Sequence, residues 1–124
     1  MSFPVDWPVD CPPESAEPAS GVVFRLVRVN PPVDDDFLTH HESGKMVNAP
    51  PCLRRGLSVF RCRVDAEHQH RAFPKLGAFI ASGDLEGHHG LINVTPGKQP
   101  THSTWWPFED VDRAAAFSKV EEIV

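Results

Sequence analysis

Two short segments place side chains that could do chemistry on predicted strands. Arg25 lies in the middle of the apolar run 21–29, where a charged side chain must reach a partner, a cleft or solvent. His102 shortly precedes the adjacent pair Trp105 and Trp106. Because neighbouring strand residues point to opposite faces, we expect one indole in the core and the other facing outward or lining a groove. A groove indole beside a histidine suits stacking on a planar ring; two separate apolar clusters are the alternative.

The histidines and cysteines are the second group that could do chemistry. Zinc takes four tetrahedral nitrogen or sulfur ligands, and Cys52, Cys62, His68 and His70 supply those atoms. Their spacing matches no usual zinc finger, and histidines two apart on a predicted helix diverge. We therefore predict no metal, with a zinc site as the alternative. Cys52 also precedes two arginines that could activate it as a nucleophile, but a structural cysteine is favoured.

Length and proline distribution indicate how the chain is organised. The 124 residues are enough for one domain. Five of the 13 prolines lie in residues 1–20, and proline lacks a backbone donor and fixes φ. We predict a Pro-rich flexible arm without regular structure over residues 1–20, followed by a single domain over residues 21–124.

Charge is unevenly distributed along the chain. The formal net charge is −5, yet residues 51–75 carry six basic and two acidic side chains. This basic middle could attract a phosphate-bearing ligand, and solvated faces matched to nearby acids are the plainer explanation. The acidic total disfavours nucleic acid as a partner.

Membrane and export signals are not visible. No apolar run approaches the ~20 residues that span a bilayer, and the N-terminus lacks the basic and apolar regions of a signal peptide. Three irregularly spaced cysteines are a poor disulfide framework. We predict a cytoplasmic protein that does not contact membranes.

Hydrophobic periodicity predicts an α+β domain. Alternation of apolar and polar residues and turn signals indicate five to six strands in a small mixed or antiparallel sheet, with two or three short helices. The segment 40–51 is predicted to be a long loop. The predicted strands cover 21–29, 57–63, 78–81, 91–94, 102–108 and 117–124, and the predicted helical segments cover 34–38, 66–72 and 110–116.

Short motifs give the chain a resemblance to known proteins. The motifs are Phe-Arg-x-Val at 24–27, Pro-Pro-x-x-Asp-Asp-Phe at 31–37, Gly-Leu-Ser-Val-Phe at 56–60, Leu-Gly-x-Phe-Ile-Ala at 76–81 and His-x-Thr-x-Trp at 102–106. In this order the chain resembles a group of small uncharacterised bacterial proteins, over about residues 22 to 110. The match to that group implies little about activity.

A more distant similarity is to the compact ADP-ribosyltransferase fold, used by rifampin-modifying ADP-ribosyltransferases, RES-type NAD-degrading toxins and tRNA 2′-phosphotransferases. Their first strand bears an Arg or His that contacts NAD. The resemblance implies Arg25 at that position, Ser58 and Phe60 on the second strand, and His102 or Glu109 as the third polar residue. The chain has no tyrosine and no glutamate that this pattern places securely.

The resemblance also implies an activity and a site. NAD would lie across a split between strands, and a carboxylate, Glu109 or Asp36, would stabilise the cation left when nicotinamide departs. The implied catalytic residues are Arg25, His102 and Glu109, and the implied NAD-binding residues are Arg25, Ser58, Phe60, Trp105 and Trp106. The function would be that of an ADP-ribosyltransferase-like or NAD-degrading toxin or effector domain. The alternative is a non-enzymatic interaction or accessory module that binds a protein partner from the same bacterial operon.

Overall fold

The computed structural model describes residues 1–123, which form a seven-stranded sheet with four short α-helices. The strands are β1 (Glu17–Pro18), β2 (Gly21–Val27), β3 (Leu57–Phe60), β4 (Phe79–Leu85), β5 (Gly90–Val94), β6 (His102–Pro107) and β7 (Lys119–Glu122). The helices are α1 (His40–Ser43), α2 (Pro51–Arg54), α3 (Arg63–Ala72) and α4 (Arg113–Ala116), and 3-10 turns occupy Asp34–Phe37, Pro74–Leu76 and Gly87–His89. The strand order is β1-β5-β6-β3-β2-β4-β7, and every neighbouring pair is antiparallel.

The predicted α+β class is confirmed, but the strand count is higher than predicted. The additional strand, β1, lies in the Pro-rich arm and pairs with β5. The region predicted as one loop, 40–51, contains α1 and the first residue of α2. Thr39 and Glu42 form a reciprocal capping box on α1, and Pro51 begins α2, so local capping outweighs the surrounding loop-forming residues. The last predicted strand includes Val124, which lies outside the described residues.

The two sheet faces carry separate apolar clusters. The larger one packs Trp105 against Phe117, with ring centroids 5.7 Å apart, beneath α4 and the Asp34–Phe37 turn. Gly83 lets the end of α4 approach β4, since a Cβ there would lie 2.3 Å from the Ala116 carbonyl oxygen. On the opposite face α3 inserts Ala66 against Phe60 and neighbouring strand residues. The sheet is therefore covered on both sides next to β3.

The N-terminal 20 residues contact the domain at several places. The Phe3 ring packs against the Phe108 ring at a tilt with centroids 4.8 Å apart, Ala19 is buried in the larger core, and Cys11 forms a disulfide with Cys52. The expectation that this segment lacks regular structure is wrong at β1, because the β5 edge offers a backbone ladder even to a segment containing Pro18. The flexibility of the arm stays a prediction.

The disulfide corrects the inference drawn from the cysteine count. Cys11 and Cys52 are 41 residues apart in sequence, and their proximity arises because the arm lies against α2. Cys62 is an exposed free thiol. The cysteines consequently give no support to a reducing compartment. Within residues 1–123, no helix is both long and apolar enough to cross a bilayer.

Candidate functional site

The backbone ladder between β2 and β3 is limited to one residue pair, and this interruption of the sheet is the candidate site. These strands share a single residue pair, Phe24 with Phe60, whereas β2 pairs along its whole length with β4. Beyond that pair the Arg25 guanidinium takes the place of ladder hydrogen bonds. Its Nε donates to the Asp36 carbonyl oxygen at 3.0 Å and its Nη1 donates to the Ser58 carbonyl oxygen at 2.8 Å. We call this region the β2–β3 split.

Arg25 stays charged although its side chain is partly buried. Burial lowers the pKa of its guanidinium to about 10, the nearby Asp36 carboxylate acts against that change, and the charge of Arg113 adds to it. The guanidinium carbon also lies 5.7 Å from the centroid of the Phe37 ring. Within residues 1–123 its Nη2 has no hydrogen-bond acceptor, so the guanidinium keeps a spare donor.

Three cations, Arg25, Lys45 and Arg54, act on His40 at the start of α1. Partial burial and then the charges of Arg25, Lys45 and Arg54 lower the pKa of His40. The Arg54 Nε donates to the Lys45 carbonyl oxygen at 3.0 Å, which ties α2 to the segment after α1. Because these residues come from three separate elements, only the fold creates this positive region, and it is suited to an anionic ligand.

The acidic side chains near the split are held by specific partners. Glu42 makes a two-pronged ion pair with Arg113, with its oxygens 2.6 and 3.2 Å from the guanidinium nitrogens. The Asp36 carboxylate accepts from the backbone N–H groups of Arg28 and Val33 at 2.8 and 3.1 Å. Asp36 is half-buried and is the carboxylate whose field acts on Arg25.

The pKa of His40 should depend on the positive charges near it. We expect its pKa, followed by proton NMR, to lie below the ordinary value of about 6.5 and to rise in the Lys45→Gln variant or in high salt. Since the folded state disfavours the imidazolium, the free energy of unfolding should fall as the pH drops through that ordinary value. The control variant is His41→Gln, which removes a neighbouring imidazole that is not among the groups acting on His40, so the His40 pKa should stay at its wild-type value. An unchanged His40 titration in Lys45→Gln would contradict the charge cluster.

Ser58 and His102 meet on the other face of the sheet. Ser58 is exposed and lies between Leu57 and Val59, which belong to the larger core, so its side chain points away from that core. Its Oγ lies 3.0 Å from the His102 Nε2. Arg25 reaches Ser58 only through the backbone carbonyl, because its own side chain lies on the core face.

Phe60 and the tryptophans do not offer ring faces to a ligand. Phe60 is 3 % exposed, and both Trp105 and Trp106 are 0 % exposed. The expectation that one indole faces outward is wrong. Both faces of the sheet are covered at this point, and the indole N–H groups donate to the carbonyl oxygens of His89 and Cys52.

Glu109 lies far from His102, another predicted catalytic residue. It follows Pro107, while His102 is at the opposite end of β6, so about 3.4 Å per residue puts the strand ends about 17 Å apart. Glu109 is exposed, and its backbone N–H donates to the Ser2 carbonyl oxygen. Arg25 and His102 therefore lie on the two strands next to β3, which carries Ser58, whereas Glu109 lies beyond the far end of β6.

The alternative zinc site and the two surface hollows are separate from the split. Cys52 is in a disulfide, so it offers no thiolate, and across residues 1–123 no three His, Cys, Asp or Glu side chains are grouped to hold a metal. One hollow of about 630 Å³ lies beside Asn30, Asp112 and Ser118. Another of about 310 Å³ lies beside His70.

Sequence reasoning missed His40 and Lys45 as site residues, whereas Arg54 belongs to the basic stretch 51–75 that it noted as able to attract a phosphate-bearing ligand. The pattern Thr39-x-x-Glu42 is a capping-box signal that could have placed His40 at the start of a helix. No comparable signal marks Lys45.

No protein-family model, curated protein or solved structure matches this chain.

Proposed function

We propose that this protein is an NAD-using enzyme of the ADP-ribosyltransferase or NAD-degrading type, acting as a toxin or effector domain, with the dinucleotide in the β2–β3 split. The observation that carries the proposal is the charged Arg25 guanidinium at the point where the β2–β3 ladder stops. A cation held by two carbonyls, with a donor to spare, is preorganised for a phosphate oxygen.

The basic side chains suit the pyrophosphate of NAD. Arg25 would donate through Nη2, while Lys45 and Arg54 add charge from the rim. Met46 and Leu53 lie next to these two cations in the chain and are 61 % and 43 % exposed. These apolar side chains, rather than the buried Trp105 and Trp106, would contact the planar rings of the ligand.

Of the two carboxylates considered for the cation left on the ribose, Asp36 rather than Glu109 takes that role. When the glycosidic bond between C1′ and the nicotinamide nitrogen breaks, nicotinamide leaves and positive charge develops on the ribose. The Asp36 carboxylate beside Arg25 would stabilise that charge, and water or an acceptor group would then form the new bond to C1′. The hydrogen bonds from the Arg28 and Val33 N–H groups fix the carboxylate before the reaction.

The test measures NAD binding and nicotinamide release separately. We expect NAD to raise the melting temperature of the wild type and nicotinamide to be released. Lys45→Gln should weaken NAD binding about fivefold, since one charge near a phosphate contributes on the order of 1 kcal/mol. Asp36→Asn should lower release about 100-fold without weakening binding.

Lys75→Gln is the matched control for the loss of one positive charge. Lys75 is exposed on the Pro74–Leu76 turn after α3, outside the set of cations that act on His40. Its variant should bind NAD as the wild type does. If NAD neither raises the melting temperature nor yields nicotinamide, or if Lys75→Gln and Lys45→Gln lose the same affinity, the proposal fails.

A second candidate function is a non-enzymatic interaction module for a protein from the same operon. The observation that favours it is the apolar exposure next to Lys45 and Arg54 in the chain, where Met46, Val47 and Leu53 are 61, 69 and 43 % exposed. A Met46→Ser, Leu53→Ser variant should then lose the complex with the protein encoded next to it. Retention of that complex in the double variant would exclude this surface as the interface.

A further inference from the structure

A hydrogen-bonded chain of side chains orients His102 on the face away from Arg25. The His102 Nδ1 lies 2.7 Å from the Thr95 carbonyl oxygen and 3.1 Å from the Thr95 Oγ1. The Thr95 Oγ1 lies 2.7 Å from the Thr104 Oγ1. The Phe60 ring meets the imidazole edge-on with centroids 5.5 Å apart. The imidazole is therefore fixed by both polar and aromatic neighbours.

These contacts determine which ring nitrogen carries the proton. A carbonyl oxygen can only accept, so the Nδ1 of neutral His102 must donate to Thr95. The Nε2 is then an acceptor, and the Ser58 hydroxyl 3.0 Å away is the donor. Ser58 thus donates to a histidine whose tautomer is fixed by a third group, which is the arrangement of an activated nucleophile.

Ser58 is also accessible to a reagent and lies near donors for an oxyanion. Its side chain is exposed, in contrast to the buried Leu57 and Val59 on either side. In an extended strand the N–H and C=O of one residue point to the same side. Because the Ser58 carbonyl points towards Arg25, its N–H points into the split as well. An oxyanion formed beside Ser58 would meet this N–H on the side where Arg25 lies.

We propose that Ser58 is a nucleophile with His102 as its general base, and that it accepts an acyl group from small esters. As the Ser58 Oγ bonds to the ester carbonyl carbon, its proton moves to the His102 Nε2. The carbon–oxygen bond to the leaving alcohol then breaks, and the alcohol takes the proton from His102. Water, deprotonated by the same nitrogen, releases the acid and restores Ser58. This activity requires no NAD.

The test uses a fluorophosphonate probe and p-nitrophenyl acetate with the full chain. With the probe, the Oγ–phosphorus bond forms, fluoride leaves and His102 takes the proton. We expect peptide mapping to place the label on Ser58, and Ser58→Ala to remove it. His102→Gln should slow labelling and ester hydrolysis at least 100-fold, the usual contribution of a general base. Label spread over other exposed serines such as Ser20, or equal rates in His102→Gln, would overturn the proposal.

A thiol variant keeps the proposal testable if His102→Gln does not fold. In a Ser58→Cys, Cys62→Ala background, His102 should raise the thiolate fraction of the introduced thiol. Its alkylation by iodoacetamide should then be at least tenfold faster than that of Cys62 in the wild type, which is an exposed free thiol. Equal alkylation rates would show that His102 does not act as a base towards position 58 and would overturn the proposal.

Discussion

Replacing both Cys11 and Cys52 with alanine should lower the free energy of unfolding by about 4 kcal/mol, the value expected when a cross-link closing a loop of this length is lost. The disulfide joins two residues that are 41 positions apart in the sequence. It joins the Pro-rich segment to α2, so without it the unfolded chain gains conformations that the folded chain does not. Urea unfolding of the double variant against the wild type measures the difference.

Cys62→Ala is the matched control for removing a cysteine. Its thiol is exposed and free, so its loss should change stability by less than about 0.5 kcal/mol. Thiol titration of the unfolded wild type without reductant should find one reactive group. Three reactive thiols, or equal stability of the double variant and the wild type, would contradict the disulfide.

Arg25→Ala should be the most damaging substitution in the split, lowering the free energy of unfolding by about 3 kcal/mol. It removes two hydrogen bonds from a charged group to the carbonyl oxygens of Asp36 and Ser58, and such bonds contribute roughly 1.5–3 kcal/mol each. It also removes the hydrogen bond from a β2 side chain to Ser58 across the unpaired stretch. Chemical denaturation and amide exchange at β3 measure the loss.

Arg25→Lys separates the charge from the hydrogen bonds. An ammonium cannot reproduce the planar fork that reaches two carbonyls, so this variant should show an intermediate loss of stability. A purely ligand-binding role for Arg25 predicts wild-type stability in both variants. That result would mean that the β2–β3 split is held by backbone contacts and that Arg25 serves a ligand alone.

Several elements of the fold could be predicted because their signals are local. Alternation around Leu57 and Val59 places them in the core and Ser58 outside it, as the structure has it. The predicted helical segment at 34–38 is present as the 3-10 turn Asp34–Phe37. The prediction was poorer where capping competes with loop-forming residues, as in α1, and where an edge strand depends on a distant partner, as in β1.

The candidate site was predictable only in part. Arg25 and His102 were identified because charged or titratable residues in apolar strands need partners. Neither the sheet face nor the partner of such a residue follows from its own strand, so the separation of Arg25 from the Ser58 and His102 side chains could not be anticipated. Glu109 was placed with them by resemblance, and the length of β6 separates it from His102.

Local sequence patterns predict the α+β class, the positions of the central strands and the alternation that buries one face of β3. These properties depend on residues a few positions apart, whose side-chain directions follow from strand and helix periods. The tertiary structure alone decided the Cys11–Cys52 disulfide, the interruption of the ladder between β2 and β3, and the grouping of Arg25, His40 and Arg54. Each joins elements far apart in the chain, and their meeting depends on strand order and packing across the whole sheet.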